Sequence, residues 1–317
     1  MATMTGNKTE ALRAAMGAYT GWHTSKTFDW DAFPASRGYP ELSRAQMRYV
    51  GAGGSPKADD PSTLRPAAFT LSLVHQPAGK LGATHAHEVE EAFFVLEGVL
   101  TVGWEWDGEV IEAKLGPRDM VLHATDRPHG FRNDGPNPVL VSIQVASGKP
   151  RPPVYTFHPR DTEPAIAAAF GAQAGHTHVL NPDSDDPRHQ LMARHVVRYS
   201  QQRPARNPAG FARVVYIGEG GAPPRNYRED LIHLPEGRGV RVYQRPVEDV
   251  YFVLRGVLAV GWEEDGVSVE QRLGPKDLIF NPPGRAHSFR NDGFEPAEFM
   301  MVVGTGQPED VRFQAAS

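Results

Sequence analysis

Phe93-Phe94-Val95-Leu96-Glu97-Gly98-Val99-Leu100 returns as Tyr251-Phe252-Val253-Leu254-Arg255-Gly256-Val257-Leu258, 158 residues further along the 317-residue chain. The same offset carries Gly103-Trp104-Glu105 onto Gly261-Trp262-Glu263 and Leu115-Gly116-Pro117 onto Leu273-Gly274-Pro275. It also carries Phe131-Arg132-Asn133-Asp134-Gly135 onto Phe289-Arg290-Asn291-Asp292-Gly293. Over 93–135 against 251–293, 24 of 43 positions are identical, so one module of domain size is used twice. A fainter upstream echo sets Tyr49-Val50-Gly51-Ala52-Gly53-Gly54 against Tyr216-Ile217-Gly218-Glu219-Gly220-Gly221. Its offset is 167, so the second copy is shorter there by about nine residues.

Each copy reads as strands. Apolar and β-branched runs of four to eight residues are punctuated by Gly98, Asp107-Gly108, Gly116-Pro117 and Asp134-Gly135. Asp107-Gly108 stands between Trp104-Glu105-Trp106 and Glu109-Val110-Ile111, the spacing of a tight hairpin, and Asp265-Gly266 repeats it. The class is all-β, an antiparallel sandwich or barrel. Helices are expected only at about 8–18 and around 163–173. The stretch 148–205 is rich in Pro, Asp and His, matches neither copy, and reads as a connector. The expected division is a helix and arm over 1–60, a first domain over 61–147, the connector, and a second domain over 206–312.

Composition narrows the function. Gly and Pro number 32 and 28, which fits many turns. With 33 basic and 38 acidic residues and a net charge of -5, a broadly basic nucleic-acid-binding surface is excluded. The absence of cysteine excludes disulfides, thiolate metal sites and cysteine nucleophiles. The N-terminus lacks the apolar core of a signal peptide, and no run approaches a membrane span. A soluble cytoplasmic protein is the expectation, and the sequon Asn7-Lys8-Thr9 is discounted.

The first copy carries chemistry. Gly79 is followed by five residues, His85-Ala86-His87, three residues, Glu91, six residues and Gly98. Two histidines two apart on a strand project from one face, and Glu91 keeps their parity. His129 arrives beyond the hairpin, where a folded-back sheet would set it opposite the others. Three neutral imidazoles and one carboxylate suit Fe(II), Mn(II), Ni(II), Co(II) or Zn(II). Four protein donors on an octahedral ion leave two positions for outside ligands. Gly175-His176-Thr177-His178 is a control: Pro182 stands where the glutamate belongs, so this pair reads as solvated connector histidines.

These residues resemble the cupin superfamily. Its first motif is Gly, five residues, His-x-His, three or four residues, Glu, six residues, Gly, matched by Gly79, His85, His87, Glu91 and Gly98. Its second motif ends in a His followed by three residues and an Asn, matched by His129 and Asn133. The resemblance covers both copies and implies a bicupin of two jelly-roll-type β-barrels. It also implies that His85, His87, Glu91 and His129 hold one divalent metal per chain, with Fe(II) favoured. One departure is that Ala124 and Asp126 replace the Pro and Gly of the turn before His129, so a different turn shape is expected.

In the second copy His85 becomes Tyr243, His87 becomes Arg245, Glu91 becomes Asp249, and only His129 persists, as His287. Two readings stand: a domain kept for packing and homo-oligomerisation, or an anion-binding pocket built on Tyr243, Arg245 and His287. Arg245 beside Asp249 would replace an ion by a buried pair. Around the first site, parity puts Phe93, Val95 and Phe131 on the inward face, either as walls for an aromatic or apolar substrate or as plain interior filling. His123, which corresponds to Asn281, reads either as a base near the metal or as a hydrogen-bonded structural histidine. The resemblance implies a metal-dependent dioxygenase acting on a small aromatic or enolisable carbonyl compound. The alternatives are a non-catalytic metal- or ligand-binding bicupin and a metal-dependent decarboxylase or isomerase.

Overall fold

A computed structural model describes residues 2–52, 60, 62–173, 175–307 and 311–316, with side chains from residue 7 onward. Gly53 and Gly54 of the upstream echo lie outside the described residues. The chain forms two compact units. One comprises residues 27–202 with 221–223, the other residues 1–26, 203–220 and 224–317.

In the unit built on 27–202, one six-stranded sheet runs in the order Val196–Val197, Met120–His123, Glu91–Glu97, Val139–Val145, Thr70–Gln76, Ala45–Val50. The other runs Val154–Phe157, Leu81–Ala86, His129–Arg132, Leu100–Trp106, Glu109–Leu115, Thr177–Val179. The two sheets face each other, and Val74, Phe93 and Val95 from one interdigitate with Val102, Trp104, Ile111 and Phe131 from the other. This is a jelly-roll-like sandwich of two sheets, the jelly-roll type expected, with the sheets not closed into a barrel. Residues 148–202 lie on it: Val154–Phe157 pairs with Leu81–Ala86, and Val196–Val197 pairs with Met120–His123. His176 and His178 are solvent-exposed, although His178 sits in a short strand parallel to Glu109–Leu115.

The other unit repeats the plan with a seven-stranded and a four-stranded sheet. Its opening helix, Ala2–Ala18, buries Leu12 and Met16, four residues apart, in that unit's own core. Register repeats as well: His85 pairs with His129 as Tyr243 pairs with His287, and Glu91 pairs with His123 as Asp249 pairs with Asn281. Both Asp-Gly hairpins take left-handed backbone at each residue, φ 51° and 85° in the first copy and 51° and 74° in the second. The second expected helix is the short Pro164–Ala168. A further helix, Pro187–His195, starts where the Asp186 side chain accepts a hydrogen bond from the Arg188 N–H. Among the described residues no helix is long and apolar enough to cross a membrane.

The turn before His129 departs from expectation. Asp126 takes φ 57° where Gly284 takes 74°. Arg127 N–H donates to the Ala124 carbonyl as Arg285 N–H donates to that of Pro282. Aspartate tolerates the left-handed region better than most residues, so the turn keeps its shape without the Pro and Gly.

Candidate metal centre

His85 lies near the end of its strand, which has an irregular register between Gly82 and His85, and His87 follows just beyond it. Glu91 and His129 each open a strand, one in each sheet. All four side chains are buried. The Nε2 atoms of His85, His87 and His129 lie 3.6, 3.6 and 3.0 Å from the same atom, Glu91 Oε2. Among the described residues, His85, His87 and Glu91 form a group whose ligand atoms all lie within 4.8 Å of one another. His129 falls outside that group and joins it through Glu91.

Hydrogen bonding fixes which nitrogens face inward. Nδ1 of His85 lies 2.8 Å from the Ala83 carbonyl, and Nδ1 of His129 lies 2.8 Å from that of Arg127. A carbonyl only accepts, so each Nδ1 carries a proton and each Nε2 presents its lone pair to the centre. The 3.0 Å contact of His129 Nε2 with a carboxylate oxygen then needs a proton or a metal ion to bridge two acceptors. Burial lowers the His85 and His87 imidazoles below their ordinary value. Burial alone would raise the Glu91 carboxyl, but the surrounding imidazoles of His87, His129 and His85 hold it well below its usual range. Neutral imidazoles around an ionised carboxylate are the protonation states of metal donors. The set fits a divalent metal ion.

A cavity of about 1250 Å³ opens onto this centre, and His85, His87 and Glu91 contribute to its wall. Phe93 and Phe131 also line it, their rings 5.1 Å apart and nearly perpendicular. Gly82 makes room: a Cβ there would meet the Phe131 ring at 2.4 Å. Val95 and His123 are absent from this wall. Val95 is buried in the core between the sheets. His123 accepts a hydrogen bond on Nδ1 from the Trp104 indole at 2.8 Å and stacks on His129 at 3.8 Å, behind the donor set. Asn281 replaces it in the second copy and takes the same bond from Trp262 at 2.7 Å. Sequence reasoning did not single out Arg44 and Tyr155, which both line the cavity.

The second copy brings its four residues together differently. Asp249 Oδ2 accepts from the Tyr243 hydroxyl at 2.8 Å and from Arg245 Nε at 3.0 Å, with His287 Nε2 at 3.3 Å. Tyr251, which replaces Phe93, adds its hydroxyl to that of Tyr243. Burial would raise Asp249, but His287 and Arg245 hold it below its ordinary value, so a guanidinium supplies the positive charge.

Residues 72–145 and 230–303 each match the cupin domain family. The chain belongs to the cupin superfamily and is a bicupin. It is 33% identical over 81 residues to the dimethylsulfoniopropionate lyase DddQ of Ruegeria pomeroyi, a match covering 25% of this chain and 39% of that protein. A variant of Bacillus subtilis oxalate decarboxylase OxdC superposes with a TM-score of 0.66 at 14% identity, over 93% of this chain and 79% of that one. A second structure of that enzyme gives 0.64 at 13%, over 93% and 78%. At such identity these structures establish the fold alone.

Proposed function

We propose that the first cupin domain is the catalytic centre of a metal-dependent dioxygenase, loaded with Fe(II), acting on a small aromatic or enolisable carbonyl compound. His85, His87, Glu91 and His129 are its metal ligands. The observation that carries this reading is the convergence of three Nε2 atoms on Glu91 Oε2 at the wall of a cavity large enough for a substrate. When bound, the ion supplies Lewis-acid and one-electron chemistry, with positions left for outside ligands. The protein's own contribution is placement. The Ala83 and Arg127 carbonyls orient two of the imidazoles, and the Trp104–His123 pair backs His129. Phe93 and Phe131 present apolar faces that keep water from the reacting end of the cavity.

A second reading, a metal-dependent lyase or decarboxylase, is supported by the lyase activity named for DddQ. One experiment separates the two. Protein reconstituted with Fe(II) is offered catecholic, hydroxybenzoate-type and β-dicarbonyl compounds while dissolved oxygen and products are followed together. Oxygen uptake matched to product supports the dioxygenase. Product without oxygen uptake transfers the assignment to the lyase or decarboxylase reading, and binding without product leaves a non-catalytic bicupin.

A further inference from the structure

Arg44 lies outside both segments that match the cupin family, immediately before the strand Ala45–Val50. It is only 5% exposed, yet it lines the metal-facing cavity. Its Nη1 reaches the Ser36 hydroxyl at 3.3 Å and the Leu42 carbonyl at 3.4 Å, and the Tyr155 side chain lies near enough to act on its charge. The guanidinium carbon lies 4.1 Å from the centre of the Phe33 ring and 5.7 Å from that of Phe131. Every one of these partners is neutral. Among the described residues no carboxylate comes within ion-pair distance of Arg44, whereas buried Arg48 in the same unit is paired with Asp29 and Asp60.

A buried guanidinium without a counter-charge is costly, and proteins normally pair such a group or give it a ligand. Burial accordingly pulls Arg44 below the ordinary guanidinium value, with only Tyr155 and the more distant Glu91 opposing. The planar fork suits one chemistry above others, the two oxygens of a carboxylate. Tyr155 extends the same surface toward the donor set, its ring 5.7 Å from that of His85. Two exposed cations, Arg65 and Lys149, stand elsewhere on the cavity wall and would favour entry of an anion.

We infer that Arg44 and Tyr155 form a carboxylate subsite, so that the substrate of the first domain is a small carboxylic acid held by its carboxylate there and by a second oxygen-bearing end at His85, His87 and Glu91. The inference rests on the metal-centre reading for the second contact and on Arg44 alone for the first. Substrate specificity is thereby fixed by a residue outside the metal motif.

The test compares benzoate, salicylate and succinate with their uncharged amides by titration calorimetry on the full chain loaded with Zn(II), which holds the site without turnover. At least one acid should bind roughly tenfold or more tightly than its amide. Arg44→Met should erase that preference while leaving amide affinity and zinc content unchanged, and Tyr155→Phe should reduce it severalfold. Should Arg44→Met fail to fold, the wild-type comparison and Tyr155→Phe decide the matter. Acids that bind no better than their amides, or not at all, overturn the subsite, as does a preference that survives Arg44→Met. A chain that takes up no zinc yet keeps an Arg44-dependent preference would sink the metal reading and leave the subsite standing.

Discussion

Arg245 Nε sits 3.0 Å from Asp249 Oδ2 in the second cupin domain, at the positions where His87 Nε2 and Glu91 Oε2 stand 3.6 Å apart in the first. One scaffold thus surrounds the same buried carboxylate position in two ways, with three imidazoles in one copy and a covalently attached cation in the other. A divalent ion beside Arg245 would meet a like charge at close range, a repulsion on the order of several kcal/mol at an effective dielectric near 20.

Tyr243→His combined with Arg245→His should therefore create a second metal site, because Asp249 and His287 already face the centre. Titration of the folded double variant should find a second equivalent of bound metal. A folded variant that still takes up one equivalent would mean that the shape of the pocket excludes the ion.

Truncating the cation alone has a different consequence. Arg245→Ala leaves Asp249 buried with its charge uncompensated, and breaking such pairs costs about 3–5 kcal/mol. Asp249→Asn made together with it should recover a large part of the loss, since the amide has no charge to bury. Chemical denaturation of both variants measures this, and equal stabilities would refute the role given to the pair.

Glu229, on the strand Arg228–Leu234, sets an alkaline limit on stability. It is fully buried, neither carboxyl oxygen finds a hydrogen-bond partner among the described residues, and burial followed by the charge of Asp230 raises its pKa to about 8. The folded state keeps this proton up to about pH 8, while the unfolded chain releases it near 4.5. Between those values the folded state binds more protons, so stability falls as pH rises, by roughly 1.4 kcal/mol per unit. Glu229→Gln removes the titration. Its melting temperature should gain on the wild type steadily from pH 5 to 8, and parallel profiles would contradict the assignment.

The Phe131 wall depends on Gly82. Gly82→Ala brings a methyl group to 2.4 Å from the ring, so Phe131 must shift into the cavity or the strands must part. Overpacking of this kind costs about 1–3 kcal/mol. The variant should keep its metal, since the atoms nearest the added methyl all belong to the Phe131 ring, but lose affinity for aromatic ligands. Unchanged aromatic binding would show that Phe131 is not a working wall.

What could be read from the sequence follows from how local each signal is. The duplication, both Asp-Gly hairpins and the His85/His87/Glu91 cluster are encoded within a few residues of one another, and the structure brings them together as spacing demands. The turn before His129 was misjudged because Asp126 is not a glycine, although it adopts the same backbone. The helix Pro187–His195 carried its start signal, Asp186 followed by Pro187, inside a stretch read as a connector. Val95 followed the parity rule onto the inward face, but a strand's inward face serves the core along most of its length and the cavity only at one end. Arg44 and Tyr155 had no signal at all. They come from opposite flanks of the cupin segment, and only the tertiary fold brings them together.

The central claim, one metal ion per chain held by His85, His87, Glu91 and His129, is tested most directly by anomalous scattering from crystals of protein purified without added metal. The account predicts one transition-metal peak per chain, within bonding distance of those four side chains, with nothing beside Arg245. It also predicts loss of that peak in His85→Ala while the fold persists. A peak at the second domain, or an empty first site after loading with Fe(II), Mn(II), Ni(II), Co(II) and Zn(II) in turn, would contradict it.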